Sequence, residues 1–164
     1  MRYVSGTKYL GIMYSTVQNL KLIGYTYSDN GGSTNDREST SGYTFHFGTG
    51  VVSWDSKKQP IVTLSSVEVK CSIATSIASQ AIWMRRMLKD MSQKQQEPTS
   101  IFCANNSTIS LSKNHVFHKK TKHINTRYHF IIELMNNKEI CLEFCKSEDQ
   151  LAYIFTKLLA RDTF

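Results

Sequence analysis

Asp36–Lys70 reads DRESTSGYTFHFGTGVVSWDSKKQPIVTLSSVEVK, and this stretch decides the fold. Two β-rich runs, Gly42–Phe47 and Gly50–Asp55, are joined by Gly48–Thr49, a link that is typical of a turn. A basic segment and a Ser-rich helix cap then precede a long run with helical periodicity. The stretch therefore predicts two antiparallel strands followed by a helix.

Further strand and helix signals flank this stretch. Lys21–Tyr27 (KLIGYTY) alternates and is rich in β-forming residues, so it predicts a strand that completes a three-stranded meander. The apolar residues that mark one face of the long helix are Ile77, Ala81, Met84, Leu88 and Met91. We also expect Trp54 and Trp83 to be packing residues.

The second half of the chain alternates between short strands and helices. Ser100–Cys103 and Glu139–Cys145 predict strands, and a brief helix is expected near Ser107–Leu111. A helix before the last strand is marked by Ile124, Tyr128, Ile131 and Met135. A final amphipathic helix is marked by Leu151, Ile154, Phe155 and Leu158. The order βββαβα(α)βα predicts an α/β fold, a five-stranded mixed sheet with helices on both faces.

Size and composition indicate one globular domain. The chain has 164 residues, of which 40% are hydrophobic and 20% charged, and a core of this size needs no disulfide. No apolar run approaches the ~20 residues of a membrane span, and the N-terminus lacks the features of a signal peptide. We therefore expect an intracellular protein, cytoplasmic or nuclear, with no membrane partner. Its cysteines are expected to be reduced and mostly buried.

The formal net charge of +7 is concentrated in two places along the sequence. Basic clusters of this kind attract phosphate backbones, although a solvated surface loop explains them equally well. The candidate nucleic-acid-binding residues are Lys57, Lys58, Lys113, Lys119, Lys120, Lys122 and Arg127.

Block by block, the chain resembles the ribonuclease H domain of copia-type LTR-retrotransposon Pol polyproteins. DRESTSGY, VSWDSKKQ and LSSVEVK are similar to that family's DRKSTSGY, VSWSSKKQ and LSSTEAEY. Cys103–Ile109 (CANNSTI) is similar to CDNQSAI, and Val116–Glu133 is similar to VFHARTKHIDIRYHFIRE. Glu148–Lys157 (EDQLAYIFTK) is similar to EDQLADIFTK. The similar blocks lie in the family's order and spacing over nearly the whole chain.

The resemblance implies a domain division and an activity. Arg2–Tyr14 (RYVSGTKYLGIMY) is similar to the tail of the reverse transcriptase region, so residues 1–19 are expected to be its remnant. Residues 20–160 are expected to form a three-layer ribonuclease H-like domain, with a reverse transcriptase domain upstream in the ancestral polyprotein. The family cleaves RNA in RNA–DNA hybrids with two Mg²⁺ ions roughly 4 Å apart, held by four carboxylates.

Carrying these carboxylates over shows that every one is replaced. The Asp of GYSDADW falls on Tyr27, and the second Glu of TEAEY falls on Lys70. The Asp of CDN falls on Ala104, and the Asp of LADIFTK falls on Tyr153. A lysine is the most damaging replacement, because two close Mg²⁺ ions tolerate each other only inside a cage of anions. We therefore expect no bound metal or other cofactor.

Asp29 is the candidate substitute ligand, because it shares a strand face with Tyr27 if the strand continues. One ligand does not build a two-metal site, so an inactive ribonuclease H domain is the first hypothesis. The alternative is a non-catalytic module with weak, sequence-independent affinity for an RNA–DNA hybrid or another duplex. Residual hydrolysis is the third.

Overall fold

The computed structural model describes residues 9, 11–17, 20–29, 39–58, 66–104, 109 and 122–156. The strands of its single sheet are β1 (Leu22–Ser28), β2 (Thr40–Phe47), β3 (Gly50–Lys58), β4 (Thr99–Cys103) and β5 (Ile140–Phe144). The α-helices are α1 (Ser66–Asp90) and α2 (Lys122–Asn136), and two 3₁₀ helices span Ser147–Asp149 and Leu151–Phe155. The strand order is β3-β2-β1-β4-β5.

Strand β1 lies at the centre of a mixed sheet, which confirms the fold class predicted from the sequence. It pairs antiparallel with β2 and parallel with β4, and β4 pairs parallel with β5. The β2–β3 hairpin turns at Gly48, whose φ of 65° is a left-handed conformation that glycine adopts without strain. Parallel pairing of β1 with β4 requires α1 to return the chain to the starting end of the sheet.

Close packing across β1 depends on Gly24. A Cβ at this position would stand 2.9 Å from Phe45 and 3.4 Å from Ile101. Both neighbours are fully buried, and they meet over the glycine from β2 and β4. The absence of a side chain at Gly24 therefore lets two large core residues close over the central strand.

The hydrophobic core lies between one face of the sheet and the two α-helices. Leu22 and Ile101 of the sheet are buried against Ile77 and Ala81 of α1, and Ile131 of α2 joins the same cluster. The predicted helical face is confirmed for Ile77, Ala81 and Leu88, and Met84 is half-buried. Within the described segments, no helix combines the length and apolar character that crossing a membrane requires.

The prediction that Met91 continues this face is wrong. Helix α1 ends at Asp90, and Ser92 adopts a left-handed φ of 61° while Gln93 N donates to Leu88 O at 2.7 Å. This turn caps the helix and directs Met91 outward, where 60% of it is exposed. The predicted packing roles of Trp54 and Trp83 are also wrong, because these residues are 57% and 54% exposed.

The opposite face of the sheet carries the C-terminal 3₁₀ segment, where the sequence predicted an amphipathic α-helix. Leu151 and Ile154 are largely exposed, whereas Ala152 is fully buried. A 3₁₀ helix has three residues per turn, so the inward face passes through Ala152 and Phe155. The predicted Leu158 and nearly all of the predicted Ser107–Leu111 helix lie outside the described residues, although Ile109 is buried.

Arg85 connects the end of α1 to the starts of β4 and β1. Its guanidinium donates to Glu97 O at 2.8 Å, Gln95 O at 3.1 Å and Thr99 Oγ1 at 3.1 Å. The Gln95 side chain in turn accepts from Leu22 N at 2.9 Å and donates to Leu20 O at 3.0 Å. One forked side chain thus orders the loop between α1 and β4.

We predict that Arg85→Lys lowers the free energy of unfolding by about 1–3 kcal/mol, because an ammonium cannot reproduce the fork and leaves acceptors unpaired, the buried Thr99 among them. Urea denaturation measures the change. The control is Arg86→Lys at the neighbouring exposed position, where a change within about 0.5 kcal/mol is expected. Equal losses in the two variants would contradict the role assigned to Arg85.

Candidate functional site

The carboxyl ends of β1 and β4 meet at one end of the sheet. Thr26 is the register partner of Cys103, so the positions that follow are Tyr27 and Ala104 on neighbouring parallel strands. Side chains at adjacent ends of parallel strands are placed to act on one ligand. Two of the four positions that the family resemblance singled out are therefore adjacent.

Tyr153 reaches the same place from the C-terminal 3₁₀ helix. Its ring packs against that of Tyr27 with centroids 5.0 Å apart and planes inclined at 71°. This edge-to-face arrangement is a favourable aromatic geometry. Both rings are half-buried, so they form a small apolar contact at the end of the sheet.

The 3₁₀ segment is held on the sheet by hydrogen bonds and by close backbone packing. Gln150 is 4% exposed, and its Nε2 donates to Phe102 O at 3.2 Å while its Oε1 accepts from Ala152 N at 3.4 Å. Ser56 Oγ donates to Phe155 O at 2.6 Å. A Cβ at Gly42 would stand 2.5 Å from the Cβ of Phe155, so the segment approaches as closely as a glycine permits. Local sequence patterns do not reveal the roles of Gly42 and Gln150, because these roles depend on partners far away in the chain.

The lengths of α1 and β4 indicate the level along the sheet at which the backbone of Lys70 is expected. Arg85, near the end of α1, bonds Thr99 at the start of β4. Lys70 precedes Arg85 by about four helical turns, or ~22 Å. The five residues of β4 span only about 17 Å, so α1 reaches the level of Ala104 near Lys70. The Lys70 side chain lies outside the described side chains.

Asp29 follows β1 directly and is only 9% exposed. Its Oδ1 accepts from Thr40 N at 2.5 Å, and its own N–H donates to Thr40 O at 3.0 Å. The carboxylate therefore closes the β1–β2 pair through a backbone hydrogen bond. The strand ends at Ser28, so the condition under which Asp29 shares a strand face with Tyr27 is not met.

Lys57 and Lys58, two of the residues predicted to contact nucleic acid, lie at this end of the sheet. Lys57 pairs with Ser41, which pairs with Ser28 at the end of β1, and both Lys57 and Lys58 are exposed. Arg127 is exposed in the second turn of α2, the helix that returns the chain from β4 to β5. Lys122 begins α2, with an undescribed side chain. The described residues do not include Lys113, Lys119 or Lys120.

Beneath the tyrosine pair, the face of the sheet opposite the α-helices carries aromatic side chains. Tyr25 stacks on Phe102 at 5.1 Å, and burial raises the pKa of Tyr25. Burial also raises the pKa of Cys103 to about 12, with a smaller contribution from Cys145. Cys103, in the hydrophobic core on the helix-bearing face, and Cys145 form no disulfide, and of these two only Cys103 is buried.

The donor set does not suit a pair of Mg²⁺ ions, which require several oxygen ligands of negative charge. Tyr27 and Tyr153 present phenol rings, and Ala104 presents a methyl group. Among the side chains that the structure describes, no three His, Cys, Asp or Glu residues lie together as metal ligands would. The geometry supplies an aromatic contact and, among the described residues, no cluster of anionic side chains.

Comparisons with known proteins identify similar sequences. The chain is 36% identical over 143 residues to the retrovirus-related Pol polyprotein from transposon TNT 1-94 of Nicotiana tabacum, covering 87% of this chain. It is 34% identical over 164 residues, the whole chain, to that from transposon RE2 of Arabidopsis thaliana. The chain spans 11% of the length of each relative. No protein-family model matches it.

Solved structures show the same fold. An N-terminal RNase H domain from Mycobacterium tuberculosis, solved as a fusion with maltose binding protein, superposes with a TM-score of 0.58 at 9% identity, covering 84% of this chain and 91% of that one. LC11-RNase H1 in complex with an RNA/DNA hybrid gives a TM-score of 0.56 at 11% identity, covering 83% and 94%. At these identities the likeness concerns the fold alone.

We predict that Gly42→Ala loosens the C-terminal segment and lowers the free energy of unfolding by about 1–3 kcal/mol, because the new methyl group collides with Phe155. Amide hydrogen exchange should accelerate across residues 150–156, and urea denaturation gives the energy. Gly11→Ala is the matched control, since a Cβ there meets nothing within 4 Å. Unchanged exchange in the Gly42 variant would contradict the close approach.

Proposed function

Because the chain is a ribonuclease H-like domain whose homologues are copia-type retrotransposon Pol polyproteins, we propose that it is a degenerate copy without hydrolytic activity. The observation that carries the proposal is the contact between the Tyr27 and Tyr153 rings at 5.0 Å. Tyr27 and Tyr153 occupy two positions that align with the family's carboxylates, and their rings pack together there. Ala104 beside them offers no ligand side chain.

Electrostatics support the same conclusion. A two-metal mechanism needs anionic ligands to neutralise the ions and to orient the attacking water. The Lys70 position would add positive charge to that site. Asp29 is a single carboxylate whose Oδ1 already accepts a backbone hydrogen bond, and one ligand cannot replace four.

We predict that the purified chain does not cleave the RNA strand of an RNA–DNA hybrid in Mg²⁺ or Mn²⁺. Each single reversion, such as Tyr27→Asp or Tyr153→Asp, should also stay inactive, because the ligands act as a unit. The assay follows a labelled RNA strand by gel electrophoresis. The matched comparison is the quadruple variant with Tyr27→Asp, Lys70→Glu, Ala104→Asp and Tyr153→Asp, in which any cleavage would assign the loss to these four side chains. Cleavage by the wild type that disappears in Asp29→Asn would overturn the proposal.

A second candidate function is a non-catalytic module that binds duplex nucleic acid. The favouring observation is that Lys57 and Lys58 are exposed at the same end of the sheet as Tyr27. A group of carboxylates there would repel phosphates, and its replacement removes that repulsion. The complex of LC11-RNase H1 with an RNA/DNA hybrid supports the choice of ligand. A hybrid would be recognised by its backbone shape and 2′-hydroxyls, not by its base sequence.

We predict weak hybrid binding whose affinity falls steeply with salt, with a log–log slope of about −0.9 for each neutralised phosphate on B-DNA. Fluorescence anisotropy over a salt series measures it. The variant in which Lys57, Lys58, Lys119, Lys120 and Lys122 are replaced by Ala should lose most of the affinity and flatten the slope.

Two matched double variants control this experiment, and each removes two positive charges from a different end of the molecule. Lys57→Ala with Lys58→Ala should weaken binding, whereas Lys89→Ala with Lys94→Ala, at exposed positions near the far end of α1, should not. No binding of the wild type at low salt, or equal effects of the two pairs, would refute the binding module.

A further inference from the structure

A surface pocket of about 390 Å³ lies on the face of the sheet opposite the α-helices. Strand β2 contributes Thr44 and His46 to its lining, and the C-terminal 3₁₀ helix contributes Tyr153 and Ile154. Phe45, between Thr44 and His46, is buried in the core on the helix side, so alternation along the strand places its two neighbours on the other face. A pocket of this volume is large enough for a small ligand or for one group of a larger one.

An exposed indole stands at the edge of this pocket. Trp54 of β3 pairs directly with Thr44, and paired residues of antiparallel strands point to the same face. The Trp54 side chain is 57% exposed, although Thr44 beside it is almost fully buried. The outer strand therefore presents a large flat ring next to the pocket.

The sheet beside the pocket carries further flat rings. Tyr25 of β1 also pairs with Thr44, and its ring stacks on that of Phe102 with centroids 5.1 Å apart. The His46 ring meets Tyr25 edge-on at 5.6 Å. Burial lowers the pKa of His46, so its ring is uncharged near pH 7. Neutral rings of this kind favour planar, aromatic ligands over strongly charged ones.

Charged side chains flank these rings on both sides. Ser56 and Lys58 follow Trp54 at alternate positions of β3, so the three share a face. Ser56 confirms this placement, because its Oγ donates to Phe155 O of the 3₁₀ helix at 2.6 Å. Lys58 is exposed, in a chain with a net charge of +7, and the exposed Glu148 lines the pocket. The face thus combines flat rings with a cation beyond Trp54 and a carboxylate at the pocket.

We propose that this face binds single-stranded nucleic acid, with one base stacked on Trp54 and a neighbouring base in the pocket beside His46. An unpaired base exposes its flat face and its edge, whereas a duplex hides both in its stack. Aromatic side chains accept any base by stacking, and cations beside them follow the phosphates. Lys58 supplies that cation. The inference rests on neither function proposed above, since Trp54 and the pocket belong to neither site.

Glu148 gives the pocket a preference among bases. A carboxylate accepts hydrogen bonds from the exocyclic amine of cytosine, and thymine presents only a carbonyl oxygen at that position. The same negative charge repels phosphates, so the backbone of the strand is expected on the Lys58 side, with its bases directed toward the pocket. We therefore expect cytosine to be favoured over thymine.

The chain contains two matched pairs of residues for the test. Trp54 and Trp83 are its two tryptophans and are almost equally exposed, but Trp83 belongs to α1 on the other side of the sheet. Lys57 and Lys58 are both exposed and adjacent in β3, so their side chains point to opposite faces. In each pair, one residue lies on the proposed face and the other does not.

The test is fluorescence anisotropy of labelled oligo-dC and oligo-dT of about 12 nucleotides with the 164-residue chain. Trp54→Ala should weaken binding by about fivefold or more, Trp54→Phe should keep most of it, and Trp83→Ala should have no effect. Lys58→Ala should make the log–log salt dependence shallower by about 0.7, the value for one phosphate of a single strand, and Lys57→Ala should leave it unchanged.

Base preference is measured in the same assay. Wild type should bind oligo-dC more tightly than oligo-dT by severalfold, and Glu148→Gln should remove most of that difference, because a neutral amide can also donate to thymine. Asp149→Asn is the control, at the neighbouring exposed acidic position. It should leave the preference unchanged.

Four results would overturn the proposal. They are no binding of either oligonucleotide at low salt, equal losses in Trp54→Ala and Trp83→Ala, and competition by a duplex as effective as that by a single strand. The fourth is self-association of the free chain that Trp54→Ala abolishes, which would assign the face to a second copy. Failure of hybrid binding would leave the expected results unchanged, because Trp54 and Glu148 have no part in that experiment.

Discussion

The position of β1 between β2 and β4 is the constraint on which the rest of the structure depends. Its antiparallel partner fixes the hairpin side of the sheet, and its parallel partner forces α1 to cross back over the face. Gly24 makes this position possible, because Phe45 and Ile101 close over a residue without a side chain. The register that results brings the end of β1 beside the end of β4, and with it Tyr27 beside Ala104.

The sequence was a reliable guide where local patterns and burial agree. Alternation, β-rich runs and turn residues located the five strands within a few residues, and helical spacing located the buried face of α1 around Ile77 and Ala81. It was unreliable where tertiary contacts decide. Met91 is exposed because the helix ends at Asp90 and the chain turns at Ser92, and Ala152 turns inward because the C-terminal segment is wound as a 3₁₀ helix.

In the candidate site, too, the sequence located some residues and only the structure reveals others. Motif spacing aligned Tyr27, Ala104 and Tyr153, and in the structure the first stands beside the second and touches the third. Local sequence could not reveal Gly42 or Gln150, since their partners Phe155 and Phe102 are distant in the chain. The substitutions also have a coherent energetic meaning. Clustered carboxylates repel one another without bound ions, whereas two tyrosine rings attract, so tyrosines at these positions favour the folded state.

Lys57 and Lys58 have a consequence that is independent of any ligand. They end β3, the outermost strand of the described sheet on its side, and a sheet edge can serve as a template for adding a strand from another molecule. Like charges on such an edge repel a second edge that carries the same pair. Lysines at this position therefore discourage edge-to-edge aggregation, whatever else the domain does.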